Sequence, residues 1–154
     1  MLARTKPPYW VAAIVLLGLA VGGASTSAQE AISTPETTST SENTISVETT
    51  SGEAEMALAQ HLQKINAKVY IAYWCPHCHR QMDLFGKEAS NLINRIECSP
   101  DGKNAQTEVC YKAGIKAFPS WEINGELTAG VKTLEELADL SGYQGSRGFK
   151  NIIP

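Results

Sequence analysis

YWCPHCHR, residues Tyr73–Arg80, decides how the rest of the chain is read. Cys75, Cys78 and His79 spell C-x-x-C-H, the pattern through which a c-type haem is attached. The same letters contain W-C-x-x-C, the form in which thiol–disulfide exchange presents a dithiol. The two readings demand different surroundings, and the flanking residues separate them.

Immediately before the motif, Val69 to Tyr73 is a β-branched and aromatic run long enough for one buried strand. Immediately after it, Pro76 occupies a place favoured by proline in a first helical turn. Met82, Phe85, Ala89, Leu92 and Ile93 then recur at three- and four-residue steps, so the dithiol opens an amphipathic helix. Gly86 interrupts that helix at about 1 kcal/mol relative to alanine. A small helical cytochrome does not place a strand directly before its haem motif. Its further ligands would have to come from Met56, Met82 or His61, and Met82 belongs to the apolar helix face. His79 reads as a solvent-facing helix residue. Zinc held by all four cysteines would need intervening gaps of 2, 19 and 11 residues, the last far too wide for a knuckle or ribbon. The context favours the dithiol, with no metal.

Further out, Ala54, Ala57, Leu58, Leu62 and Ile65 mark a preceding helix. After the dithiol helix come a strand at Arg95–Cys98, a polar loop, and a short helix over Thr107–Ala113 that ends at Gly114. Asn124–Gly125 lies between two extended runs and predicts a hairpin pairing Ser120–Ile123 with Glu126–Gly130. Thr133 and Glu136 form a capping box ahead of Leu134, Leu137 and Leu140, and Gly142 closes that helix. Trp121 and Tyr111 read as packing residues. A strand–helix–strand unit followed by a hairpin and a closing helix implies a mixed sheet covered on both faces.

The N-terminal third differs from this. Arg4 and Lys6 precede an apolar run, Val11–Val21, and Ala24 and Ala28 offer cleavage points, so residues 1–28 read as an export signal or short anchor. Of the 23 residues 29–51, 12 are Ser or Thr and none is Lys or Arg, the composition of a disordered tether. The domain is expected over 52–143, with 144–154 an irregular tail. From Gly52 onward the domain has 11 basic and 12 acidic residues, which excludes the electropositive surface of a nucleic-acid binder.

Four cysteines in an exported chain suggest disulfides, and spacing proposes Cys75–Cys78 and Cys98–Cys110 among three possible pairings. The first encloses almost no chain, so it would be a poor staple and reads as reactive. The second would close a 13-residue loop, stabilising by roughly 3 kcal/mol in the chain-entropy model. It reads as structural, with a second redox relay as the other possibility.

The stretches AYWCPHCHRQMDLFGKEA, IECSPDGKN, GIKAFPSWEINGE and LEELADLSGY together resemble a thioredoxin-like domain. Specifically, residues 72–143 resemble the one fused to bacterial and plant homologues of vitamin K epoxide reductase. The resemblance implies an α/β thioredoxin-like fold: a mixed central sheet, helices on both faces, and a C-terminal β-hairpin plus helix. It implies an exported monomeric oxidoreductase, in the periplasm or thylakoid lumen. That protein would oxidise reduced cysteine-containing exported proteins and pass electrons to a quinone-linked membrane reductase, here a separate chain. The cofactor is the redox-active Cys75–Cys78 disulfide alone.

Cys75 would be the exchanging sulfur and Cys78 the resolving one. A helix start favours thiolate at Cys75, with His77 and Pro76 expected to tune it, and His77 placed to donate to the sulfur. Such tuning favours an oxidase or isomerase over a reductase, and an extracytoplasmic reductase or isomerase is the alternative to the oxidase. The likeness makes Pro119 a cis-proline facing the dithiol, with Trp74, Phe118 and Pro119 forming the substrate rim. Where thioredoxin has a buried acid this chain has Val69, leaving water or Glu122 as candidates for proton transfer. A non-catalytic binding module with two structural bridges is the remaining alternative.

Overall fold

A computed structural model describes residues 43–152. The expected signal or anchor over 1–28, the tether as far as residue 42, and the last two residues lie outside the described residues. No helix among the described residues is long and apolar enough to cross a membrane.

Eight elements follow one another: α1 (Glu53–Lys64), β1 (Lys68–Ile71), α2 (Pro76–Ser90), β2 (Asn94–Glu97), α3 (Thr107–Lys112), β3 (Ser120–Ile123), β4 (Glu126–Ala129) and α4 (Leu134–Ser141). The sheet order is β2-β1-β3-β4. β1 runs parallel to β2, as a helical crossover requires, and antiparallel to β3. β3 pairs with β4 through the Asn124–Gly125 turn, where both residues have positive φ as that tight turn demands. This is the mixed α/β arrangement of the thioredoxin-like fold.

Side-chain alternation along the strands divides the core. Val69 and Ile71 join the large cluster with Leu58, Leu62, Met82, Phe85, Trp121 and Leu137, so α1, α2 and α4 share one face of the sheet. Tyr70 points the other way and packs with Ile96 and Cys110, which puts α3 on the opposite face. Leu58 and Leu62 are 0% and 1% exposed, and truncating either to alanine should destabilise by about 2–5 kcal/mol. The capping box closes as expected: Glu136 N donates to Thr133 Oγ1 (3.1 Å) and Thr133 N to Glu136 Oε2 (2.7 Å). Helix α4 ends at Gly142, whose φ of 69° is the left-handed C-cap.

Two boundaries differ from the sequence reading. The packed structure starts before Gly52, because residues 43–51 lie along α2 as a strap rather than as solvated tether. Ile45 is 7% exposed within the core. Lys87 N donates to Thr49 O (2.9 Å), Glu48 N to Asp83 Oδ1 (2.8 Å), and Ala89 N to Ser51 Oγ (2.8 Å). The Thr49 hydroxyl donates to the Asp83 carbonyl. Gly86 is where the strap meets α2. Its φ of 77° breaks the helix into two kinked segments, and a Cβ there would lie 2.5 Å from backbone atoms of Thr50 and Ser51. Ser/Thr composition hid this, since backbone and hydroxyl hydrogen bonds rather than apolar burial hold most of the strap.

The tail is irregular in conformation but anchored. Glu55, 0% exposed, accepts through Oε1 from Lys150 N (2.5 Å) and Asn151 N (3.1 Å). Arg147 donates to Asp139 (2.7 Å) and Glu135 (3.2 Å) on α4. Helical periodicity gave no cue that a glutamate would be buried on α1.

Candidate functional site: a dithiol at the head of α2

Parallel pairing with β2 brings β1 to its end at Ile71, and the chain turns through Ala72–Trp74 into α2. Cys75 N donates to Ala72 O (2.9 Å), which fixes the turn. Cys75 is the N-cap of α2, with extended φ/ψ of −84° and 114°, and Pro76 occupies the first helical turn. The Cys75 carbonyl accepts from Cys78 N (3.0 Å) and His79 N (3.2 Å), so the helix begins under the first cysteine. The three-residue spacing sets Cys78 one turn on, beside Cys75.

Cys75 and Cys78 are unjoined thiols, 5% and 0% exposed. The Cys75 thiol donates to the Phe118 carbonyl, with sulfur and oxygen 3.7 Å apart. Phe118 precedes Pro119 across a cis peptide bond. Burial pushes the Cys78 thiol well above its ordinary range; hydrogen bonding with Cys75 and the charges of Cys75 and Glu97 push the same way, and a backbone bond from Ala72 opposes them. Both sulfurs are thus buried, Cys75 slightly less so, and Cys78 holds its proton tightly.

Trp74 is 59% exposed; its ring meets Phe118 edge-on, centroids 6.3 Å apart at 83°, and its indole N–H donates to Ser99 Oγ (3.2 Å). Trp74 and Phe118 thus form one aromatic rim next to the sulfur, with exposed Pro76 beside it. His77 is exposed and makes no side-chain hydrogen bond among the described residues. Its ring lines a groove with Arg80, Phe118, Gly130 and Val131. The expected bond from His77 to the Cys75 sulfur is not made; the Phe118 carbonyl is the sulfur's partner instead.

His79 is half-buried rather than solvent-facing. One ring nitrogen lies 2.6 Å from Tyr73 O and the other 3.3 Å from both the carbonyl and hydroxyl of Ser46, which ties the strap to the motif. The residues do not fit a c-type haem: Cys78 is enclosed in the core, and the nitrogen needed as axial ligand is spent on a backbone carbonyl.

The acid that sequence reasoning missed is Glu97, at the end of β2. It is 7% exposed, and its Oε1 accepts from Ser99 N (2.8 Å) and from Tyr73 N (3.3 Å) in the turn that carries the dithiol. Burial raises its pKa despite those two backbone bonds. Parallel pairing of Ile71 with Glu97 is what delivers the carboxyl from a neighbouring strand, a relation that sequence spacing does not display. Glu122, the residue considered from sequence, is not at the dithiol. It pairs with Lys68 at the far end of β1 (2.8 Å) and accepts from Tyr70 OH (2.5 Å). Those bonds to Lys68 and Tyr70 lower its pKa, while burial and Glu122 raise Tyr70 to about 12.

Gln81 was also missed. It is 0% exposed on α2, accepts from Trp121 Nε1 (3.2 Å) and Lys132 N (2.7 Å), and donates to Lys132 O (3.0 Å). It fixes the loop after β4 against the dithiol helix. Trp121 is fully buried, whereas Tyr111, read as packing, is 83% exposed on α3. Cys98 and Cys110 are bridged, Cα atoms 5.8 Å apart, joining the end of β2 to α3.

No family model matches the chain. Over 100 residues, 63% of this chain, it is 41% identical to the thiol-disulfide oxidoreductase LTO1 of Arabidopsis thaliana. The chain spans 27% of the length of that relative.

Proposed function

We propose that this chain is a thiol–disulfide oxidoreductase whose exchanging pair is Cys75 and Cys78. The observation that carries the reading is the Cys75 thiol at the head of α2, bonded to the Phe118 carbonyl beneath an exposed aromatic rim. Likeness to a relative named as a thiol-disulfide oxidoreductase supports the same chemistry. The two-residue gap supports it independently, since a bridge enclosing so little chain stabilises little.

The proposed direction is oxidation. A client thiolate attacks the Cys75 sulfur of the bridged pair, and the Cys78 sulfur leaves and takes a proton. The client's second thiolate then attacks its own bridged sulfur and expels Cys75 as a thiolate. A client disulfide forms, and two electrons and one proton have passed to the domain; a second proton from solvent, taken up by the Cys75 thiolate, completes the dithiol. A membrane reductase of the vitamin K epoxide reductase type, linked to quinone, takes those electrons in turn and restores the bridge. The clients are reduced proteins outside the cytoplasm, in a periplasm or thylakoid lumen. A Cys78 that holds its proton tightly is a weak nucleophile toward the mixed disulfide, which gives the client's second thiolate time to attack.

Equilibration of the pair with glutathione tests the direction. A potential near about −120 mV supports an oxidant, and one near about −270 mV makes the chain a reductase. Failure of the Cys75→Ser chain to lose thiol oxidation would remove the reading altogether.

A further inference from the structure

The groove beside the dithiol, about 370 Å³, is lined by His77, Arg80, Phe118, Gly130 and Val131. Phe118 belongs both to this groove and to the site, since its carbonyl accepts from Cys75. A client cysteine brought to the Cys75 sulfur therefore has its neighbouring residues over the groove. The lining has an aromatic and an aliphatic wall, and its two titratable side chains are both basic.

Arg80 is exposed and its guanidinium has no hydrogen-bond or ion-pair partner among the described residues. Asp83, the carboxylate nearest to it along the chain, is engaged with Glu48 N of the strap (2.8 Å). Lys116, two residues before Phe118 in the chain, is also exposed. Gln81 holds the Val131 side of the groove in place through both bonds to Lys132, so the cavity is preformed.

We propose that this groove is a specificity subsite for an acidic side chain lying within two residues of the client cysteine. The inference rests on the exchange reading of Cys75 above. An arginine fork with free donors matches a carboxylate in two parallel hydrogen bonds, and a histidine ring offers one N–H in any protonation state. In an extended client, side chains two residues apart project to the same side, about 7 Å apart, which spans the distance from a bound sulfur into an adjoining groove. Lysine in that position would meet two basic groups instead. Clients with Asp or Glu beside the cysteine are therefore selected, and those with Lys or Arg are disfavoured.

The test uses the full chain with its Cys75–Cys78 pair oxidised. Three dithiol peptides of one length carry Glu, Gln or Lys two residues from the first cysteine. Each rate is divided by that of the same peptide with a small neutral disulfide, which removes the effect of the flanking charge on the peptide's own thiol. The expected order is Glu above Gln above Lys, with about a fivefold step for each change at low salt, as for a single exposed ion pair. The order should flatten at about 0.5 M salt through screening. In Arg80→Glu it should reverse, and in Arg80→Gln it should shrink. Equal rates for the three peptides, or an order unchanged in Arg80→Glu, overturn the subsite. Turnover of the Gln peptide reports the exchange reading separately. Absent turnover there defeats that reading and the subsite with it, whereas normal turnover without a charge order defeats the subsite alone.

Discussion

The thiol of Cys75 and the carbonyl of Phe118 lie 3.7 Å apart, which joins two segments 43 residues distant in sequence. The dithiol helix and the β3 approach are thereby one surface. Phe118 contributes its carbonyl to the sulfur and its ring to the aromatic rim with Trp74. Phe118→Ala keeps the carbonyl and deletes the ring. It should leave exchange with small disulfides nearly unchanged while raising KM for peptide clients by about tenfold, the loss of a well-packed aromatic contact. Steady-state kinetics with both substrate types checks this.

Glu97 ties proton chemistry to the same turn. Burial raises its pKa, so the folded state binds its proton more tightly than the unfolded chain does. Between the two pKa values the folded state holds more protons, and stability falls as pH rises through that window. Glu97→Gln still accepts from Ser99 N and Tyr73 N but has no charge to desolvate. Its melting temperature should equal or exceed that of the parent at neutral pH, with the advantage vanishing in acid. The same substitution removes a negative charge that helps push Cys78 up, so the alkylation profile of Cys78 should move to lower pH. Melting curves and a pH series of alkylation together distinguish this from a merely structural role.

The Cys98–Cys110 bridge closes the loop from the end of β2 to α3, away from the large core cluster. Replacing both cysteines by alanine should lower stability by about 3 kcal/mol, the closure entropy of a loop this long. Exchange at 25 °C should persist. Denaturant titration with an activity assay checks both halves, and lost exchange in a folded double variant would make the bridge a relay.

Gly86 locks the strap to α2. Gly86→Ala would require positive φ from a residue with a Cβ and would force backbone atoms of Thr50 and Ser51 to move. The expected loss is about 2 kcal/mol or more. Amide exchange should quicken at Lys87 and Ala89, whose N–H groups bond the strap. Unchanged protection at those two amides would contradict the packing of residues 43–51.

Much of this architecture is legible in the sequence because its signals are local. Asn124–Gly125 announces a hairpin, Thr133 and Glu136 a capped helix, and the W-C-x-x-C pattern a dithiol at a strand–helix junction. Residues that act across strands are not legible in that way. Glu97 reaches the dithiol only because β2 lies parallel to β1 in a register that sets it opposite Ile71. Glu55 and Gln81 are buried polar side chains that satisfy the tail and a loop, and no periodic pattern marks them. The Ser/Thr-rich strap misleads for a related reason: composition measures apolar burial, and hydroxyl and backbone bonds hold most of this segment.

Which sulfur meets the client is the centre of the account, and trapping decides it. Cys78→Ser leaves a client bound to Cys75 with no neighbour to release it, so a client carrying an activated disulfide should accumulate as a mixed disulfide within one round. Cys75→Ser leaves only a thiol that is 0% exposed and holds its proton tightly, so the same client should leave it largely unmodified. Equal accumulation on both variants, or accumulation on Cys78 alone, would contradict the assignment of Cys75 as the exchanging sulfur.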